Sequence, residues 1–351
     1  MENKDTIQYL LGLLDRPAFC VTNGTVQYVN QAAAQAGITA GTPVSDLLSD
    51  HTAAYDSFTD GCLYCSVRLC NKTAGVSITR LDGIDYFLLD QEKDPVLKGL
   101  SLAAQQLRKP LSALMAVIDS NYMHREANTK DGAIAVSQIS KGLLQINRQL
   151  CNMSDAALYS DNSISYSTVG VRGLFAQIAE KAAAGLENTG IKLEYEEPDT
   201  EIYTQANATL LERAGYNLIS NAVKFAPTGS TVSVSLKAVG NRLLFAVESQ
   251  TGNAKMPIFD MFRRDPGLED SRYGIGLGMV IVRAAASAHG GAVLMDYPDE
   301  NTTRITMSME IREDDKPVLR RNASKISDYS GGIDHALLEL SDVLPSECYR
   351  K

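Results

Sequence analysis

Between Leu100 and Met153 the apolar side chains recur at intervals of three and four, and no other feature constrains the chain as strongly. Leu100, Ala104, Leu107, Leu111, Leu114 and Ile118 form one series; Val136, Ile139, Leu143, Ile146, Leu150 and Met153 form a second. Side chains at that spacing line one stripe of an α-helix. The two series therefore predict two amphipathic helices, joined through REANTKDG as an antiparallel hairpin. Each stripe is narrow, about two apolar residues in seven, and a lone hairpin cannot cover both. Pairing with a second hairpin as a four-helix bundle would bury them, which predicts a homodimer or a heterodimer with a related chain.

On either side of this hairpin the apolar period shortens. AFCVTNGTVQYVN reads as two short strands around Asn23-Gly24, a tight-turn dipeptide whose residues tolerate positive φ. QAAAQAG reads as a short helix closed by Gly37, and GVSITRLDGIDYFLLD as a later hairpin with alternating apolar residues. Residues 1–95 thus predict a small α/β sensor module, in an arrangement that resembles a PAS domain. After the hairpin, assigned to residues 96–160, helix and strand alternate again. VRGLFAQIAEKAAAGLENTG and ATLLERAGYNLISNAVKFA are helical, IKLEYEE is a strand, STVSVSLKAVGNRLLFAVES is a hairpin, and RITMSMEI closes as a strand. Residues 165–312 therefore predict an α/β layer domain. Residues 313–351 form a polar tail in which Ile333, Leu337, Leu340 and Leu344 mark a short amphipathic helix suited to dock on the body. At 351 residues, the chain is an α+β multidomain protein by this reading.

Composition narrows the function. A hydrophobic fraction of 44% supports packed cores, and a net charge of −9 offers no basic footprint for nucleic acid. No apolar window is long enough for a membrane span, and MENKDTIQYLLGLLD carries acids where a signal peptide has its basic region, so a cytoplasmic location is expected. Cys62, Cys65 and Cys70 cluster in GCLYCSVRLC. On a strand, however, Cys62 and Cys65 point to opposite faces and cannot grip one ion.

Two stretches carry chemistry. Asn217 and Asn221 lie four apart on a predicted helix, with Lys224 one turn beyond, so their polar ends project from one face. An amide oxygen beside an ammonium suits Mg²⁺ held together with phosphates; taken in isolation, the pair reads more readily as caps or solvent-exposed amides. In RYGIGLGMVIVRAAASAHGG, Gly274, Gly276 and Gly278 precede an apolar helix. Such glycines let backbone N–H groups approach phosphate oxygens at a helix N-terminus. FRRDPGLEDSRY lies before them instead of a strand, which argues against a dinucleotide fold and reads as a lid.

In combination these stretches resemble the sensor histidine kinases of two-component systems. NLISNAVKFAP is similar to the family's N box, FDMFRR to its F box and GIGLGMVIVRAAASAHGG to its second glycine box, in family order over residues 165–311. The hairpin matches the family's dimerisation and phosphoacceptor domain. The resemblance implies an α/β sandwich that binds ATP with Mg²⁺. Asn221 would hold the metal, Lys224 would contact phosphate beside Asn217, and the amides of Gly274, Gly276 and Gly278 would hold the triphosphate. Phe259 and Phe262 would flank the lid. It also implies a response regulator as a partner.

The sequence departs from the family twice. Where the phosphoacceptor motif has His-Glu-Leu-Arg-Thr-Pro-Leu, this chain has Gln105, Gln106, Leu107, Arg108, Lys109, Pro110 and Leu111. An imidazole nitrogen is nucleophilic near neutral pH, whereas an amide nitrogen has its lone pair delocalised into the carbonyl. Gln105 cannot accept phosphate, and Gln106 and Lys109 replace the residues expected to assist kinase and phosphatase chemistry. His124 is about five helical turns from Gln105, roughly 28 Å, and His51, His289 and His335 lie outside the hairpin. In the first glycine box, Ser249 stands at the position of the aspartate that reads adenine. Losing a charge-assisted bond would cost about 1.5–3 kcal/mol unless Glu248 or a water compensates.

These departures predict a regulatory homologue that binds ATP weakly and does not phosphorylate itself. The alternatives are an active kinase with an unusual acceptor, a dimeric scaffold without nucleotide, and an ATPase-fold kinase acting on serine. The heptad hairpin argues against the last of these.

Overall fold

The computed structural model describes residues 11–12, 14, 16–69, 72–81, 83–90, 103–104, 106–108, 111–115, 130–158, 164–250, 277–312, 326–330 and 332–349. Strands β1 (Ala18–Thr22) and β2 (Thr25–Val29) meet at Asn23 and Gly24, whose φ angles of 52° and 70° form the tight turn. Three short helices follow, α1 (Gln31–Gln35), α2 (Val44–Leu48) and α3 (Thr52–Ser57). Asn30 caps α1: its side-chain oxygen accepts from Ala33 N at 2.8 Å, while its amide donates to the Leu11, Leu14 and Arg16 carbonyls. Strands β3 (Cys62–Leu69), β4 (Lys72–Leu81) and β5 (Ile84–Leu89) complete this part antiparallel, with β5 returning to pair with β1.

The long helix α4 (Lys130–Leu158) is the second arm of the expected hairpin. Of the first arm, residues 103–104, 106–108 and 111–115 are described and helical. Gln105, Lys109, Leu100, Ile118 and His124 lie outside the described residues, as do Cys70, Phe259, Phe262, Gly274 and Gly276. The apolar stripe divides in two. Ala104, Leu111 and Leu150 are buried against Met115, Leu143 and Met153, whereas Leu107, Leu114, Ile139 and Ile146 are each roughly half exposed.

Beyond α4 come β6 (Ser167–Gly170), α5 (Val171–Leu186), β7 (Lys192–Glu196), β8 (Tyr203–Ala206), α6 (Ala208–Phe225), β9 (Thr231–Val239) and β10 (Arg242–Gln250). Then follow α7 (Gly278–Ala288), β11 (Val293–Asp299), β12 (Thr302–Glu310) and, in the tail, α8 (His335–Glu339). Helices α5, α6 and α7 lie on one face of the sheet, where Phe175 stacks on Phe245 with ring centroids 4.3 Å apart. Among the described residues no helix is long and apolar enough to cross a membrane.

Among the described residues one sheet runs through both the N-terminal part and this layer domain, in the order β2-β1-β5-β4-β3-β11-β12-β10-β9-β7. The joint is β3 against β11, with Tyr64 opposite Val293, Leu63 opposite Leu294 and Cys62 opposite Met295. Pairing covers an edge of β11 that would otherwise expose its backbone groups. Gly61 makes the approach possible, because a Cβ there would lie 2.0 Å from the Met295 carbonyl oxygen. Alternation along β3 serves two cores: Cys62 and Tyr64 join the core of the layer domain, while Leu63 and Cys65 join the N-terminal core. The two thiols thus face apart, and burial pushes the Cys65 thiol up to about 12, which keeps it protonated and unreactive.

Candidate functional site

Helix α6 begins at Asn207, whose side chain accepts from Leu210 N at 2.8 Å. Its residues Ala208 and Leu210–Ser220 are buried, covered by the sheet on one side and by α4, α7 and the tail on others. Polar groups on so enclosed a helix need partners. Arg213, Asn217 and Lys224 share one stripe, at spacings close to whole turns, and each finds its partner in α4 or in the tail.

The Asn217 amide donates to the Arg213 carbonyl at 2.8 Å, and its oxygen accepts from Arg148 Nη2 of α4 at 3.2 Å. Arg148 also donates through Nη1 to Asp342 Oδ2 at 2.5 Å and through Nε to Glu339 Oε2 at 3.3 Å. Lys224 Nζ donates to the same Asp342 oxygen at 2.9 Å. Arg213, with no exposed surface, donates to Glu339 Oε1 at 3.0 Å and to Asn152 Oδ1 at 2.6 Å, and pairs with Asp155. Three cations and three carboxylates therefore close on one another across α6, α4 and the tail. Removing one member of such a buried set leaves an uncompensated charge, at a cost of about 3–5 kcal/mol.

Asn221, one turn beyond Asn217, is half-buried. The Asn217 oxygen is taken by a guanidinium, so Asn221 is the carboxamide of the pair whose oxygen suits a hard cation such as Mg²⁺. Gly278 opens α7 directly against Asn217, where a Cβ would lie 2.5 Å from the Asn217 Oδ1. The last glycine of the series thus lets one helix lean on the other.

Ser249 is buried on β10, opposite Val232 and Thr303. Glu248 projects from the other face of the strand, towards Arg304 at 4.0 Å, so it cannot take over a role at Ser249. Gln106 is exposed on its helical segment. At the end of α7, His289 donates from Nδ1 to the Ala285 carbonyl at 2.7 Å and accepts at Nε2 from Asn207 N at 3.0 Å. This fixes one neutral tautomer and ties α7 to the start of α6; burial and the nearby Arg312 lower the His289 pKa. Among the described residues no group of His, Cys, Asp and Glu is placed to hold a metal by itself.

Asn217, Asn221, Lys224 and Gly278 are among the residues expected from the sequence, whereas Arg148, Arg213, Glu339 and Asp342, which bond to or around them, are not. A signal for the tail acids was present. Glu339 and Asp342 are three apart among Leu338, Leu340 and Leu344, a spacing that sets two charges beside an apolar docking face.

Residues 206–314 match the family of histidine kinase-, DNA gyrase B- and HSP90-like ATPases. Over 215 residues the chain is 30% identical to the sensor protein IrlS of Burkholderia pseudomallei, a match covering 57% of this chain and 44% of IrlS. It is 28% identical over 252 residues to the sensor protein CutS of Streptomyces coelicolor, covering 64% of this chain and 59% of CutS. The chain therefore spans less than two thirds of either relative. Among solved structures, full-length ShkA in complex with AMPPNP aligns at a TM-score of 0.49 with 21% identity, covering 63% of this chain and 47% of ShkA.

Proposed function

The chain belongs to the sensor histidine kinase family, and on that premise we propose that it is a regulatory member that binds ATP with Mg²⁺ and does not phosphorylate itself. The observation that carries the nucleotide half of this reading is the stripe on α6. Lys224, Asn221 and Asn217 follow one another on a single face, and Gly278 brings the N-terminus of α7 onto that face. Lys224 supplies positive charge for phosphate, and Asn221 supplies a neutral oxygen for the cation. Gly274 and Gly276, outside the described residues, would add backbone N–H donors on the approach to α7. When bound, Mg²⁺ would neutralise phosphate charge, with Asn221 as the residue that would hold it; the chain's own residues bind and orient.

The other half rests on the absence of a nucleophile at Gln105 in the sequence. Without a histidine there, the hairpin offers a surface rather than an acceptor. Leu107, Leu114, Ile139 and Ile146 are apolar, exposed and seven apart in pairs, which fits a second hairpin laid alongside. We read the protein as PAS-like in its N-terminal module, dimeric through this stripe, and acting on a response regulator or on a partner kinase by binding. Ser249, in place of an adenine-reading carboxylate, makes the nucleotide affinity modest.

Calorimetry with a non-hydrolysable ATP analogue tests the nucleotide site. Binding should require Mg²⁺ and fall at least tenfold in Asn221→Ala, with the fold unchanged by circular dichroism. Analogue binding that is equal with and without Mg²⁺, and equal in the variant, would remove Asn221 from the site; no binding at all would leave a dimeric scaffold.

A further inference from the structure

The C-terminal segment bears on the same α6 stripe that the nucleotide reading uses. Its docking is extensive. Ala336, Leu338, Leu340 and Leu344 are buried in the core of the layer domain, and Ser327 N, Gln145 and Lys181 add hydrogen bonds to Thr209, Ser341 and Asp334. Apolar burial alone would seat this segment. The placement of Asp342 needs a separate account, because one of its oxygens receives both Lys224 Nζ at 2.9 Å and Arg148 Nη1 at 2.5 Å. Arg148 in turn occupies the Asn217 oxygen.

A carboxylate oxygen shared between an ammonium and a guanidinium satisfies them as a phosphate oxygen would, with comparable hydrogen-bond geometry and like charge. With Asp342 in place, Lys224 is 11% exposed at its side chain and its charge is already paired. An incoming triphosphate would meet Asp342 and, behind it, Glu339, both negative and both buried. Like charges brought together in a partly desolvated site repel strongly. Segment and nucleotide therefore compete for one ammonium.

We propose that residues 326–349 form a built-in competitor of the nucleotide, in which Asp342 holds Lys224 and Arg148 until phosphate displaces it. The proposal rests on the nucleotide reading above and adds its regulation. Covalent attachment through residues 313–325 gives the segment a high effective concentration, of the order of millimolar for a short tether. The apparent affinity for ATP is then lower than the open site's by the fraction of time the segment is undocked. A partner or signal that draws the segment away raises nucleotide affinity without touching the nucleotide.

The test compares the full chain with Asp342→Asn, which keeps the shape of the side chain and leaves Glu339 with both arginines. Calorimetry with the non-hydrolysable ATP analogue and Mg²⁺ should give about ten- to a hundredfold tighter binding to the variant, the range expected for losing charge-assisted bonds. In the unsubstituted chain the analogue should speed amide hydrogen exchange at residues 335–344, a readout that does not depend on how the variant folds. Equal affinity for the two chains, with exchange at 335–344 unchanged, would overturn the competitor while leaving the nucleotide site standing. Weaker binding by the variant would also overturn it, since Asp342 would then belong to the nucleotide's own contacts. If neither chain binds the analogue, the nucleotide reading and the competitor fall together.

Discussion

His335 and His289 sit in opposite electrostatic surroundings although both are largely enclosed. Burial works against the charged form of His335, but hydrogen bonding and charge from Glu212, 2.8 Å away, together with Asp328, outweigh it, and the pKa rises above 6.5. The ring also stacks on Tyr329, and the Arg213 guanidinium lies 5.0 Å from the centroid of the same Tyr329 ring. A group whose folded pKa is raised stabilises the docked form below its unfolded value and loses that contribution as pH rises through the folded value. The tail should therefore loosen as pH climbs from about 6.5 through the raised pKa of His335, with each tenfold gain in proton affinity worth about 1.4 kcal/mol. Hydrogen exchange at residues 335–344, corrected for intrinsic rate, should accelerate over that window in the native chain and show no such window in His335→Gln. A profile that is flat in both would remove the histidine from the latch. At this scale the sequence revealed Asn217, Asn221 and Lys224 because they share a helix. It could not reveal Arg148 with Asp342, whose bond joins positions 194 apart in the chain.

At the scale of elements, local chemistry made several boundaries legible. Asn23-Gly24 marks its turn through positive φ, and Gly37, at φ 89°, stands just past the end of α1. Strand β11 was not expected, because the glycines ahead of it read as the end of a helix box; Gly291 is there for backbone approach, with the Ser308 carbonyl 1.8 Å from where its Cβ would be. The union of β3 with β11 was equally hidden, since strand partners of distant sequence leave no periodic signal. The hairpin stripe is a different case. Its period predicted helices, and the structure distributes it between an inner set around Leu150 and an outer set of Leu107, Leu114, Ile139 and Ile146. If the outer set is a dimer seam, Ile139→Glu with Ile146→Glu should convert the protein to monomer in sedimentation velocity, with its circular dichroism spectrum retained. A monomer before substitution, or a dimer after it, would contradict that seam.

Across the whole molecule, the N-terminal module and the ATPase-like domain share a sheet and a bridging cluster. Arg283 of α7 lies over the Tyr64 ring at 4.9 Å, and the Tyr64 hydroxyl donates to Asp90 at 2.8 Å, where the chain leaves β5 for the hairpin. Arg283 and Tyr64 thus join the module to α7 by a direct side-chain contact. The tail closes the same assembly from the other side, on α6 and α4. In the proposed reading nucleotide is bound but no phosphoryl group passes to the chain itself. Incubation of the intact protein with γ-labelled ATP and Mg²⁺ should leave the protein unlabelled, in Asp342→Asn as well, whereas acid-labile, base-stable phosphate on the chain would overturn that reading.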